Sequence, residues 1–317
     1  MEKLRYLLFL LVFSSCDLPE EDPIYMFSYF MGNGEDGLHL AYSMDGLYWE
    51  AIGEGKSFLT PEVGEDKLMR DPCVIRGRDG KFHMVWTVSW NEKGIGYASS
   101  PDLIHWSEQQ YIPVMEHEEN ARNTWAPEVF YDDKEDIYLI FWASTISGLY
   151  PETQSEEEDA YNHRQYYVTS KDFKSFSETK LFYEPGFNVI DGTLIKEEGE
   201  YLLFVKDETR EPPKKNIRIA RSESLTEGYG EAGEPITGDY WAEGPTVAKV
   251  ADRWIVYFDK YIENNMGAVA SNDLKTWEDI SSQIHFPDGT RHGTVFKVSR
   301  EELAFLKSFG SPEGLEE

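Results

Sequence analysis

A short motif returning about every fifty residues constrains this chain more than any other feature. Ser-x-Asp is followed, four residues after the Asp, by an aromatic. It reads Ser43-Met44-Asp45 with Trp49, Ser100-Pro101-Asp102 with Trp106, Ser170-Lys171-Asp172 with Phe176, and Ser271-Asn272-Asp273 with Trp277. A worn copy, Ser222-Glu223-Ser224, lacks the aromatic. The steps between copies are 57, 70, 52 and 49 residues, and each copy follows a β-like run: Leu38–Tyr42, Ile95–Ala98, Tyr166–Thr169, Ile217–Ala220 and Ala268–Ala270. Ser and Asp side chains bond nearby backbone amides in tight turns, and the aromatic opens the next strand. A period near fifty, with strands and turns and almost no amphipathic-helix pattern, predicts an all-β chain folded as a β-propeller.

A second pattern interleaves with the first. An acidic residue or His opens an apolar strand, and an aromatic strand follows ten or eleven residues after each of the four acids: Asp71 to Phe82, Glu128 to Tyr138, Asp191 to Tyr201, Glu243 to Trp254. The fifth copy, His292-Gly293-Thr294-Val295-Phe296, is cut short, and its continuation is Tyr25–Met31 at the other end of the chain. Five four-stranded blades are expected over residues 24–300, with strands from both ends closing the ring in one blade and removing its open edges.

In a propeller the innermost strands line the axis. Asp71, Glu128, Asp191, Glu243 and His292 open those strands, and they are expected at equivalent positions around one mouth of the channel. Trp125 and Trp241 each precede an inner strand, and with Trp90 they are candidate sugar platforms. The long Ser147–Gln165 connection, with its Glu156-Glu157-Glu158-Asp159 run, is placed on the same face. Carboxylates facing each other over an aromatic-lined pocket suit glycoside hydrolysis: one protonates the leaving oxygen and another activates water. Motifs of other nucleophilic or nucleotide chemistries are missing: there is no Gly-x-Ser-x-Gly, no His-Glu-x-x-His and no Rossmann glycine loop.

Composition narrows the partners. Asp and Glu number 59 against 30 Lys and Arg, a formal charge of −29, so phosphate backbones are repelled and nucleic acid is excluded as a partner. With 2 Cys no disulfide framework exists, and Cys73, in an apolar stretch, reads as an inert core residue. Lys3 and Arg5, the apolar run from Leu7 to Phe13, then Ser14, Ser15 and Cys16 follow the order of a secretory signal. The Cys after small residues resembles a bacterial lipoprotein cleavage site. Residues 1–15 are therefore expected as a signal peptide and 16–23 as an acidic tether. The predicted location is the bacterial envelope, lipid-anchored to the outer membrane or periplasmic, with secretion as the alternative. The membrane is touched only through that anchor, and a monomer is expected. Residues 301–317 read as a short helix and an acidic tail.

Taken together, Arg70-Asp71-Pro72, Trp125-Ala126-Pro127-Glu128, Ile190-Asp191-Gly192, Glu243-Gly244-Pro245 and Arg291-His292-Gly293 resemble glycoside hydrolase family 43 in order and spacing, over roughly residues 25–300. The resemblance implies a five-bladed propeller that inverts configuration at the anomeric carbon. The activities implied are α-L-arabinofuranosidase, β-xylosidase or galactofuranosidase, on plant-type polysaccharide or oligosaccharide. Asp71 would be the general base, Glu243 the general acid, and Asp191 the group that raises and orients that acid. Glu128, Trp125, Trp241, Arg291 and Trp90 are the candidate substrate-binding residues. The chemistry would need no cofactor, while His292 would sit on the axis, where the family's members commonly hold a structural calcium through water. The long loop favours exo action. Two departures stand out: a strand-turn-strand unit precedes the base segment, and Gly192 follows Asp191 where Pro is more usual. A non-catalytic carbohydrate-binding propeller and a sialidase-like hydrolase are the alternatives. A sialidase needs a cluster of Arg on the substrate carboxylate, whereas only Arg70 and Arg291 adjoin the inner strands.

Overall fold

The structure, a computed structural model, describes residues 23–157 and 160–309. The expected signal peptide, Cys16 and its tether up to Asp22 lie outside the described residues, as do Glu158 and Asp159 of the acidic run.

Among the described residues nineteen strands form five antiparallel sheets. β1 (Ile24–Tyr29), β2 (His39–Ser43) and β3 (Glu50–Ala51) belong to the first blade. β4 (Arg70–Arg76), β5 (Phe82–Thr87), β6 (Ile95–Ser100) and β7 (Gln110–Ile112) make the second. β8 (Trp125–Asp132), β9 (Ile137–Ser144), β10 (Arg164–Ser170) and β11 (Lys180–Tyr183) make the third. β12 (Val189–Glu197), β13 (Glu200–Asp207) and β14 (Asn216–Ser222) make the fourth; β15 (Glu243–Val250), β16 (Arg253–Lys260), β17 (Asn265–Ser271) and β18 (Glu278–Asp279) make the fifth. β19 (Thr294–Val298) then pairs with β1, Phe296 opposite Met26, and becomes the inner strand of the first blade. The ring closes by strands from both chain ends, as expected.

One blade departs from the expected four strands. Among the described residues the fourth sheet has three. Its fourth place is taken by an irregular segment whose amides still reach β14: Gly230 N–H to Arg221 O, Gly233 N–H to Ile219 O, and Ile236 N–H to Ile217 O. Three residues separate successive bonds where a ladder needs two, so no strand forms. The worn turn is the reason. In the intact copies the Ser hydroxyl and Asp carboxylate cradle four amides; Ser43 accepts from Asp45 and Gly46, and Asp45 from Leu47 and Tyr48. Ser222 keeps only its half, accepting from the Ser224 amide at 2.9 Å.

The core lies between blades. Period-two alternation sends neighbouring residues of one strand to opposite faces: Leu203 and Val205 of β13 pack with Leu139 and Phe141 of the third blade, while Leu202 and Phe204 pack with Val256 and Phe258 of the fifth. Cys73 is buried between the second and third blades, as read from the sequence. The C-terminal segment is more than a tail. Helix α1 (Arg300–Phe309) starts in a capping box, with the Ser299 hydroxyl accepting the Glu302 amide and the Glu302 carboxylate the Ser299 amide. It buries Leu303 and Leu306 beside the first and second blades, and Arg76 grips Glu302 through both carboxylate oxygens.

Candidate active site

Five pentapeptides carry the site: Arg70–Val74, Trp125–Val129, Ile190–Leu194, Glu243–Val247 and Arg291–Val295. Four of their strands break the ladder at one place, between Arg70 and Cys73, Trp125 and Glu128, Ile190 and Thr193, and Glu243 and Thr246. The second residue of each is left-handed: Asp71 at φ 53°, Ala126 at 46°, Asp191 at 50° and Gly244 at 60°. Such bulges re-aim side chains beside active sites. The register corrects the expectation that five charged residues share one position. Asp71, Asp191 and His292 do share the second place. Glu243 sits one residue shallower, level with Arg70 and Arg291. Glu128 sits two residues deeper, level with Cys73, Thr193, Thr246 and Thr294. Aligning by charge set these two out of step; aligning by the Pro or Gly at the third place restores them.

Glu243 meets two cations, Lys206 Nζ at 2.9 Å from Oε2 and Arg291 Nη2 at 3.3 Å from Oε1. Arg291 Nε also donates to Asp259 at 2.5 Å. One tier down, Asp71 accepts from Thr87 Oγ1 at 2.8 Å and lies 3.2 Å from His292 Nδ1. The same Thr87 hydroxyl accepts the Ala126 amide at 2.8 Å. Asp191 accepts the Gly244 amide at 3.0 Å. In the third tier Cys73 Sγ donates to Glu128 Oε2 at 3.2 Å, and Thr294 Oγ1 to Oε1 at 3.4 Å.

These placements separate the carboxyls electrostatically. Burial pushes Asp71 up, but the charge and hydrogen bond of His292, aided by Arg70 and Thr87, prevail and hold it at about 2. His292 is the reciprocal case: burial pulls it down, yet Asp71, Asp191 and Glu243 raise it to about 9. Asp191 is raised by burial and by Glu243 and Asp71, against His292 and Lys206. Burial likewise lifts Glu128 to about 7. An ionised Asp71 suits proton abstraction from water, and a neighbouring carboxyl of raised affinity for protons suits an acid's partner.

Asp71, Asp191 and Glu243 line one pocket of about 180 Å³, with Arg70, Thr87, Trp90, Trp125, Lys206, Glu208, Tyr261 and His292. A larger hollow of about 480 Å³ opens beside Val114, Val168 and Phe176, far from these groups, and holds no matched carboxylates. The glycosyl hydrolase 43-related family model, described as "Probable glycosyl hydrolase domain", matches residues 22–304. The chain belongs to this family. A curated α-L-arabinofuranosidase of Bifidobacterium longum subsp. longum is 26% identical over 223 residues, 61% of this chain, and the match spans only 21% of that longer protein. Among solved structures, a thermostable family-43 glycoside hydrolase aligns over 71% of this chain and 78% of its own, at 16% identity and TM-score 0.54. An α-L-arabinofuranosidase from Lactobacillus brevis aligns over 73% and 90%, also at 16% and 0.54. Both carry the same propeller.

Within this 43-related framework the expected residues divide. Trp90 and Trp125 line the pocket, their rings edge to face with centroids 5.4 Å apart. Trp241 does not line it; it leans on Tyr261, which does, at 5.9 Å. Arg291 acts behind Glu243. Glu128, 6% exposed, lies beneath the floor and is out of a sugar's reach. Among the described residues no three His, Cys, Asp or Glu come together as a metal site, so the expected calcium on the axis would be held through water rather than by a cage of side chains. His292 is bonded to Asp71 and charged, and Glu128 is bonded to Cys73 and Thr294. Lys206 and Glu208 were missed as site residues because one lies next to the end of an apolar strand and the other begins the loop after it. One signal was present: at three of the pentapeptides a polar residue near the end of the pairing strand faces the first residue, Thr87 opposite Arg70, Lys206 opposite Ile190 and Asp259 opposite Glu243, whereas Ala143 faces Trp125.

Proposed function

We propose that this chain is an inverting, exo-acting glycosidase that releases terminal α-L-arabinofuranosyl residues from plant-type polysaccharide or oligosaccharide. Galactofuranosyl and xylosyl substrates are the neighbouring choices. The observation that carries the reading is the convergence of Asp71, Asp191 and Glu243 on one pocket walled by Trp90 and Trp125. Asp71 takes a proton from water as that water attacks the anomeric carbon. Glu243 gives its proton to the departing oxygen, which keeps the bonding electron pair. Asp191, tied to the amide next to Glu243, orients the acid's strand and repels charge on it. The pocket is smaller than the roughly 300–1,000 Å³ of drug-sized sites, which favours one ring at a chain end. Tyr161 of the long loop packs on the Trp125 ring with centroids 4.6 Å apart and donates its hydroxyl to Asn91 at 3.0 Å, which ties that loop to the pocket wall. The arabinofuranosidase relative supports the sugar.

The test is release of aglycone from aryl α-L-arabinofuranosides, β-galactofuranosides and β-xylosides, with Glu243→Ala beside wild type. Wild-type release with a loss of roughly 10³-fold or more in the variant supports the reading. An inert wild type that still binds sugar refutes it in favour of a binding propeller. The anchored envelope location is also proposed, from Cys16 and its flanks. Mass spectrometry of the mature N-terminus would find a lipidated Cys16; an unmodified one removes the anchor.

A further inference from the structure

Lys206 is the next-to-last residue of β13, with its side chain 2% exposed, an ammonium taken almost wholly out of water. Burying such a charge costs several kcal/mol unless its partners compensate. Its partners are Glu243 at 2.9 Å, Glu208 at 2.7 Å and the face of Tyr261 at 4.6 Å, with Asp191 also contributing to its field. Glu208 is shared: Lys215, itself nearly buried and resting over the Trp241 ring, bonds its other oxygen. Two ammonium groups against one Glu208 leave one positive charge, and Lys206 presents it to Glu243. Arg291 is placed differently. It is closer to Asp259 than to Glu243, at 2.5 against 3.3 Å, so much of its charge is already countered.

We propose that Lys206 is a positioning residue for proton donation, fixing the Glu243 carboxyl toward the pocket and stabilising the carboxylate it becomes. The inference rests on Glu243 being the acid. In that step the C–O bond to the leaving group breaks and its electron pair stays on oxygen. The Glu243 proton moves to that oxygen, water adds to the anomeric carbon, and its proton passes to Asp71. Negative charge appears on Glu243 only as the proton leaves. A cation fixed 2.9 Å away strengthens in effect at that moment and needs no reorganisation. The benefit depends on the leaving group. A poor one needs the proton in the transition state, and an activated phenol hardly needs it.

The test uses Lys206→Met and Lys206→Arg in the whole chain, on aryl α-L-arabinofuranosides running from 2,4-dinitrophenyl to phenyl, or the same series on whichever sugar wild type accepts. Met replaces the stem, Lys215 still answers Glu208, and Arg291 still answers Glu243, so the fold is retained; a melting temperature checks this. Expected for Lys206→Met is a loss of roughly 10- to 100-fold in kcat on the phenyl glycoside and under about 3-fold on the dinitrophenyl one. Lys206→Arg should recover part of the loss. Equal losses on all leaving groups overturn the proposal while leaving the hydrolase standing, provided Glu243→Ala is inactive. Inert wild type removes both.

Discussion

Replacing Glu128 by Gln separates the axis beneath the pocket from the pocket itself. The carboxyl is 6% exposed, and burial lifts it from 4.5 to about 7. Between those values the folded protein holds a proton that the unfolded chain has released, so the Glu128 contribution to stability falls as pH rises from about 4.5 to 7 and is flat above. The displacement corresponds to about 3 kcal/mol of penalty in the charged form at pH 8. Gln carries no charge and escapes it. At pH 5 both side chains are neutral and bonded to Cys73 and Thr294, so the variant should match wild type within about 1 kcal/mol. At pH 8 it should be more stable by up to about 3 kcal/mol, roughly 4–6 °C in melting temperature for a chain this long. Denaturant melts at pH 5, 6, 7 and 8 give the curve. Sugar release should stay within about 3-fold of wild type, because Glu128 does not line the pocket. A variant destabilised equally at all four pH values, or one whose KM rises many-fold, refutes the reasoning.

Other outcomes follow from the same geometry. His292→Gln removes the imidazolium that holds Asp71 at about 2, so the base takes up protons more readily and the acid limb of kcat/KM should move up by about 1 pH unit or more, read from a pH–rate profile. The His292 contribution to stability has the opposite edge: its raised affinity for protons stabilises below about 6.5 and is lost as pH rises through about 9, which melts from pH 7 to 10 would register. Trp90→Ala removes a pocket wall that also supports Arg70, whose guanidinium lies 4.3 Å from its ring; KM should rise roughly 5- to 20-fold with a smaller change in kcat.

Much of this was legible. The Ser-x-Asp turns set the blade spacing because each turn needs the same short side chains, and the split blade was visible in the cut His292 segment. Asp71, Asp191 and Glu243 were found together because Pro or Gly beside an acid at a strand start is an unusual local request. Register was not legible. Glu128 and Glu243 looked equivalent to Asp71 by charge, and only the ladder shift after the first residue of each pentapeptide reveals which tier a side chain occupies. Lys206 was hidden because a single lysine after Leu-Leu-Phe-Val looks like the edge of a core strand. The missing strand after β14 was foreshadowed by Ser224 standing where the other turns have Asp.

The left-handed second residue explains why four of these strands could turn their side chains onto one site at all. A regular inner strand would alternate its side chains toward the two neighbouring blades, and acids there would be buried between sheets. The bulge breaks that alternation at the channel mouth. Its backbone conformation costs an ordinary residue roughly 1–2 kcal/mol, and Asp tolerates it better than most. Asp71 and Asp191 occupy two of the places; Thr87 and Asp191 bond the amides of Ala126 and Gly244, tying each bulge to the blade before it. At Gly244 the constraint is tighter. A Cβ there would sit 2.2 Å from the His292 ring, so the imidazole reaches Asp71 only because this residue has no side chain. Gly244→Ala should therefore displace His292 and Glu243 together, abolishing sugar release while the blades persist. An active Gly244→Ala enzyme would mean that the His292–Asp71 contact is dispensable to the base.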